Sequence, residues 1–469
     1  MSLFQAPYPP YDPTDREGFS YETVLKRWPV ILAGIVDTLH RENHNAIVGG
    51  NKNPTKVEEG NALIELIGKL KYEMARDKPL EPIPEDKETN VDVYNTELKR
   101  LTAEGKGTWF TAPWLYAECY LYRLLRAYFA QTTSWREFDP FRSQKVETFQ
   151  KSGVSIHKIA TSIRELEQEK GKLEADPTNF KILFREMIQM CLWGNATDLS
   201  LLTNLSLDDI ENLQSVGKDA QAARQSFILK DDQDAVWDQL KNLKDGRVDI
   251  VLDNSGFELF TDMVFADFLV TYTPYVSSVV FHPKLIPWFV SDVTPPDFVE
   301  IAGLLADEGF LASSNPSDAE KDNLKHLVER WTSYVDSGVF SMSVPQDTRL
   351  GGDSDMANFW TTQYPYWDTK IHAPALWNSL HEKSDLVVFK GDLNYRKLTG
   401  DIAWPADTPF EEAIGPLAGA FPILSLRTNK ADVVVGVPSD VAAKLDASGE
   451  KWRVNGKYAL ISFWPKVQG

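Results

Sequence analysis

One short apolar run constrains this chain most. Val248, Ile250, Val251 and Leu252 make a β-branched, nearly continuous stretch, the pattern of a strand covered on both faces as in a parallel sheet. The run ends on charge. Asp253 and Asn254 fall where the strand emerges, Ser255-Gly256 supplies a tight exit, and Phe257, Phe260, Val264 and Phe268 then repeat at helical spacing. In open α/β sheets ligands gather at the carboxyl ends of the strands, which makes these two oxygen-bearing side chains the first place to look for chemistry. The same residues also suit a helix N-cap, and on this stretch alone the two readings stand level.

Beyond residue 247 strand-like runs alternate with helical ones. Tyr275–Phe281, Trp288–Val290, Leu386–Phe389, Ile423–Leu426, Val433–Val437 and Tyr458–Phe463 read as strands, and Phe298–Leu305, Ala319–Val335 and Asp440–Leu445 as helices. This alternation predicts a mostly parallel sheet with helices on both faces. Before residue 247 the pattern is helical and no strand is read. Val24, Trp28, Ile31, Leu32, Ile35 and Leu39 recur at threes and fours with Pro29 as a candidate kink, and further helices are expected at Val57–Ala75, near Pro113 to Tyr128, at 140–170 and at 178–193. A chain of 469 residues exceeds one ordinary core. The fold class expected is therefore α/β, with an all-helical N-terminal region, 1–246, packed on a C-terminal α/β/α region, 247–469.

Charge narrows the ligands. A formal net charge of −19 with no basic stripe repels a polyanion, so nucleic acid is not an expected partner. Cys119 and Cys191 sit in apolar helical surroundings and read as buried free thiols of a reducing compartment. No apolar run is long enough to span a bilayer and residues 1–11 carry no secretory pattern, which predicts a soluble protein of the cytoplasm or nucleus with no membrane partner. No obligate protein partner is evident.

Three more apolar runs open into polar side chains: Ser291-Asp292 after Val290, Lys390 to Lys397 after Phe389, and Arg427 to Lys430 after Leu426. With parallel strands all four sets converge on one edge. The carboxylates of Asp253 and Asp292 and the amide oxygen of Asn254 are hard ligands that suit Mg²⁺ or Mn²⁺. Arg427 and Lys430 are natural partners of a phosphate, as a planar fork and a point charge. The pair Asp353 and Asp355 follows no apolar strand and reads as a solvated loop, and His282 reads as packing.

Four stretches together carry a resemblance: Leu252 to Glu258, Trp193 to Asp198, Phe389 to Lys397, and Arg427-Thr428-Asn429-Lys430. In this order they resemble the signatures of the damage-control phosphatases, nearest the sugar-phosphate phosphatase subfamily, also described as acidic-residue methyltransferases. The resemblance covers essentially the whole chain. It implies a divalent metal on Asp253, Asn254 and Asp292, with Mn²⁺ or Mg²⁺ favoured over Co²⁺ or Ni²⁺. It also implies substrate contacts from Asp392, Leu393, Asn394, Tyr395, Arg396 and Lys430, and Arg427 matches its Arg-Thr-x-Lys signature. Asn195 and Asp198 match a polar pair near the site, and a C-cap with a turn fits them equally well. Glu258 falls one helical turn after Asn254 and matches a proposed methyl-donor contact.

The expected activity is a metal-dependent phosphatase for small phosphorylated metabolites, with fructose 1-phosphate and fructose 6-phosphate as implied substrates. Asp253 is the candidate catalytic residue, as metal ligand or as nucleophile. Ser255 stands where phospho-aspartate enzymes carry a second carboxylate, which favours water as the attacker. The alternative is an S-adenosylmethionine-dependent protein-glutamate carboxyl methyltransferase. Against it, Gly256 alone follows Asp253, where a cofactor loop needs closely spaced glycines.

Overall fold

The structure, a computed structural model, describes residues 4–48, 54–168, 170, 177–194 and 225–467. Seven strands form one sheet: β1 (Ile228–Asp231), β2 (Gly246–Val251), β3 (Val276–His282), β4 (Phe340–Met342), β5 (Leu386–Lys390), β6 (Ile423–Thr428) and β7 (Ala459–Trp464). Their order is β1-β7-β6-β5-β2-β3-β4. From β4 to β6 all neighbours are parallel, while β7 runs antiparallel to β6 and parallel to β1. The carboxyl ends of β2, β3, β5 and β6 therefore share one edge, as the apolar runs predict.

Alternation along the strands divides their side chains between two cores. Val248, Ile250, Val388 and Leu424 enter one core, with Phe260, Val264 and Phe268, whereas Val251, Val387, Phe389 and Ile423 enter another, with Trp360, Tyr366 and Trp377. Helices α1 (Trp28–Val48), α2 (Pro54–Ala75), α3 (Val91–Ala103) and α4 (Trp114–Ala130) build a third, helical core. The remaining long helices are α5 (Arg142–Lys151), α6 (Gly153–Gln168), α7 (Pro177–Gly194), α8 (Gln233–Leu240), α9 (Phe257–Tyr272), α10 (Pro295–Ala306), α11 (Asp318–Ser337), α12 (Pro374–Lys383), α13 (Gly391–Leu398) and α14 (Ser439–Ala447). Residues of α6, α7 and α8 pack with α9 on the first face of the sheet, so the later part of the stretch before 247 belongs to the sheet's own core.

Four expectations about strands are corrected. β1 lies before residue 247; it is a four-residue edge strand whose partly exposed Ile-Leu-Lys-Asp sequence lacks a buried run. β4, three residues long, is too short to announce itself. Trp288–Val290 is a turn: Phe289 and Val290 have φ of 44° and 72°, and Ile286, Trp288 and Val290 are apolar because they plug into the helical core. Val433–Val437 is buried and pairs with a loop, through Gly436 N–H to Thr408 O and Val437 N–H to Ala406 O, instead of joining the sheet.

Candidate active site

At the end of β2 the backbone clamps three side chains together. The segment after β3 returns to form an isolated antiparallel bridge between Asn254 and Asp292. Val293 N–H donates to Asp253 O (2.8 Å) and Ser255 N–H to Ser291 O (2.7 Å). Asp253, Asn254 and Asp292 are buried, yet all three line one cleft. The positive φ values of Phe289 and Val290 cost about 1–3 kcal/mol each for residues of these types. Packing of Trp288 and Val290 among the helices offsets that strain, as do the bonds from Asp292 N–H to Trp288 O and Ser291 N–H to Phe289 O.

Behind this trio lies a buried charge network. Asn254 Nδ2 donates to Asp253 Oδ2 (3.0 Å) and to Glu258 Oε2 (2.7 Å), and Ser291 Oγ donates to Asn254 Oδ1. Lys390 Nζ donates to Glu258 Oε1 (3.1 Å), Asp262 Oδ1 (2.6 Å) and Cys191 O (2.7 Å). Burial opposes the charge on Lys390, but Asp262, Cys191 and Glu258 outweigh it and hold its pKa well above the usual value. Burial pushes the Asp262 carboxyl up to about 7 against the pull of Lys390. Glu258 sits one layer deeper than Asn254 and does not line the cleft. Lys284, which the sequence reading passed over, donates to Leu252 O (2.7 Å) and lies 3.7 Å from Asp292 Oδ2.

The next side of the site comes from β5 and β6. Gly391 opens α13 at φ 81°, and a Cβ there would fall 1.8 Å from Asp253 Oδ2, so glycine is required on both counts. Asp392 Oδ1 accepts from Arg427 Nε (2.7 Å) and from the Lys430 N–H (3.0 Å). Each Arg427 nitrogen bonds within the protein: it also donates to Ala431 O and Val433 O, and its guanidinium lies 4.2 Å from the Tyr395 ring centroid. Tyr395 Oη accepts from Val435 N–H, and Asn394 Nδ2 donates to Lys390 O, Val251 O and Leu252 O while its Oδ1 accepts from Tyr366. Arg427, Asn394 and Tyr395, expected to reach substrate, do not line the cleft here, and their polar atoms brace the strand ends. Asp392, Leu393, Arg396 and Lys430 do line the cleft. Asn195 and Asp198 lie outside the described residues.

The helical region closes the cleft with residues that the sequence reading missed. Trp114 and Glu118 stand four apart on one face of α4, and Phe289 and Arg27 join them in the lining. A π-helical turn, Thr23–Arg27, between a short helix (Phe19–Glu22) and α1 delivers Arg27. Arg396 forks onto Asp401 (3.1 and 2.9 Å), donates to Glu118 Oε2 (2.6 Å) and covers Trp114 at 3.8 Å. The usable signals were a glutamate within the apolar and aromatic first turns of α4, and Pro29, whose missing N–H frees a carbonyl in the turn ahead of it. The cleft is narrow, with a free volume of about 40 Å³.

Carboxylates, an amide and cations gathered at the carboxyl edge of a parallel sheet, beneath a helical region, define an α/β protein with a small-ligand cleft where such folds hold their ligands. The model of the damage-control phosphatase ARMT1-like domain matches residues 23–445, and the chain belongs to that family. It is 35% identical over 458 residues to damage-control phosphatase ARMT1 of Danio rerio, covering 95% of this chain and 94% of the relative. The proteins of the same name from Mus musculus (35% identical) and Homo sapiens (33% identical) are each matched over 96% of this chain and 97% of their own length. A solved DUF89 family protein from Pyrococcus horikoshii, 12% identical with a TM-score of 0.35 over 92% of this chain and 96% of its own, is too loose a likeness to carry an argument. Among the described residues no helix is long and apolar enough to cross a membrane, and both cysteines are buried free thiols.

Proposed function

We propose that this protein is a metal-dependent phosphomonoester hydrolase acting on small phosphorylated metabolites, with fructose 1-phosphate and fructose 6-phosphate as the substrates to try first. The observation that carries the reading is the backbone bridge that fixes Asp253, Asn254 and Asp292 in one cleft with Lys430 and Arg27. Among the described residues no group of three His, Cys, Asp or Glu side chains is placed to hold a metal ion, so the donor set is two carboxylates and an amide. Oxygen donors alone fit a hard divalent cation such as Mn²⁺ or Mg²⁺, with Co²⁺ and Ni²⁺ as alternatives. Asn254 Nδ2 donates to Asp253 and Glu258 while its Oδ1 accepts from Ser291 Oγ, so that oxygen is the ligand atom Asn254 would offer.

A bound cation supplies charge neutralisation on a phosphoryl oxygen and orientation of the attacking water. Asp253 and Asp292 hold it. Lys430 and Arg27, rather than Arg427, face the remaining phosphoryl oxygens. Asp392, pinned by Arg427 and the Lys430 N–H, accepts from substrate hydroxyl groups. Water is the attacker, since Ser255 stands two residues after Asp253 in place of the acid that a phospho-aspartate route requires. The methyltransferase alternative is not favoured: relatives carry a phosphatase name, and Glu258 is packed against Lys390 and Asn254 behind the cleft. A place in the cytoplasm or nucleus, without nucleic-acid or membrane partners, accompanies this reading. The test is phosphate release from both fructose phosphates by purified protein with each metal in turn. Metal-stimulated, chelator-sensitive release is expected, and no release with any metal would sink the proposal.

A further inference from the structure

Glu118 carries a charge that the Arg396–Asp401 pair beside it does not need. Arg396 donates to its Oε2, while Oε1 accepts from the neutral Trp28 Nε1 at 3.1 Å. Arg396 is already matched by Asp401, which it grips with Nε and Nη2, and Asp401 is fully buried. Arg396, Asp401 and Glu118 together therefore carry a surplus negative charge, and Glu118 presents it to the cleft that also receives Asp253 and Asp292. Burying a carboxylate with one cation shared between two anions is costly. A site for a phosphate dianion makes it costlier still, because ligand and carboxylate repel.

The arrangement becomes favourable when the ligand brings donors. An ionised carboxylate is an acceptor only, with lone pairs to spare after two hydrogen bonds, and hydroxyl groups on a phosphate ester are the donors that such a ligand can carry. Trp114, one turn before Glu118 on α4, and Phe289 supply apolar surface in the same cleft, which suits the C–H faces of a sugar. Resting on the phosphatase reading above, we propose that Glu118 is a specificity-determining residue: its carboxylate, delivered by α4, accepts hydrogen bonds from the hydroxyl groups of a polyhydroxylated phosphate ester. The helical region then joins Asp392 in reading the alcohol part of the substrate, while the rest of the sheet edge handles the phosphate.

The experiment compares kcat/KM for fructose 1-phosphate with that for propyl phosphate, which has the same phosphate and no hydroxyl group, in the metal-loaded protein. In the unmodified protein the sugar phosphate should be preferred by at least about 100-fold, since a site built around hydroxyl donors rejects a ligand that lacks them. Glu118→Gln should cut that preference by about tenfold or more, mainly through KM for the sugar phosphate, because the amide turns one acceptor into a donor. Equal losses on the two esters would mean that Glu118 merely holds Arg396, and would overturn the inference while leaving the phosphatase reading intact. If that variant does not fold, Glu118→Asp, which keeps the charge and draws the acceptor back from the cleft, decides: a preference cut by about tenfold supports the inference, and an unchanged preference overturns it. No phosphate release from either ester overturns the phosphatase reading, and the inference falls with it.

Discussion

The two sides of the cleft are held by different means. At the sheet edge, Asp253, Asn254 and Asp292 are fixed by backbone bonds between the end of β2 and the segment after β3. On the helical side, Trp114, Glu118 and Arg27 are placed by helix faces, a π-helical turn and the side-chain contacts of Arg396. Backbone bridges tolerate little displacement, which suits groups that must hold a cation and a reacting phosphate. Side-chain placement is easier to vary, which suits recognition. The contrast makes a general demand: changes at the sheet edge should weaken every substrate alike, and changes on the helical side should alter the choice among substrates.

The largest effect tests the sheet edge. Asp253→Ala should lower kcat by more than about 1,000-fold for every phosphate ester, as expected when a metal ligand that neutralises phosphoryl charge is lost, with melting temperature little changed. Selective loss on one ester would break the comparison. Next, Arg427→Gln removes the partner of the buried Asp392 and should destabilise the fold by about 3 kcal/mol, read in urea unfolding. Were Arg427 a phosphate contact instead, stability would hold and only KM would rise.

These residues also show what could be read in advance. Asp253 and Asn254 were legible because the apolar run of β2 stops at them, and Asp292 because an apolar stretch also precedes it, although that stretch serves the helical core. The Arg-Thr-x-Lys sequence gives residue types but not the direction of a guanidinium, so Arg427 read as a phosphate fork when its donors are used on Asp392, Ala431 and Val433. Glu118 was hidden for a related reason. Its helix is apolar enough to read as core throughout, and what singles the residue out is the meeting of α4 with α13, a contact 278 residues apart in sequence.

A smaller effect sharpens the division within the sheet edge. Lys430→Ala should lower kcat/KM by about 100-fold, the usual scale for losing one donor to developing charge, while metal affinity measured by calorimetry stays nearly constant. Loss of metal binding would make Lys430 structural. The smallest effect concerns Asp432, whose carboxylate accepts from the Phe19 N–H and so ties the N-terminal helical turn to the loop that carries Lys430. Burial is the main cause that raises its carboxyl from 3.8 to about 6. The native state therefore binds more protons than the unfolded chain between about pH 4 and pH 6, and stability should fall as pH rises through that window. Asp432→Asn should flatten that slope, and an unchanged slope would remove Asp432 from the account.

The most direct test of the central claim joins metal and phosphate in one assay. Inorganic phosphate released from fructose 1-phosphate is measured with and without Mn²⁺, in the unmodified protein and in Asp292→Ala, alongside Mn²⁺ binding by calorimetry. The account predicts Mn²⁺-dependent release and one bound ion per chain in the unmodified protein, and loss of both in the variant. Undiminished release by Asp292→Ala, or release by the unmodified protein that persists after complete removal of metal, would contradict it.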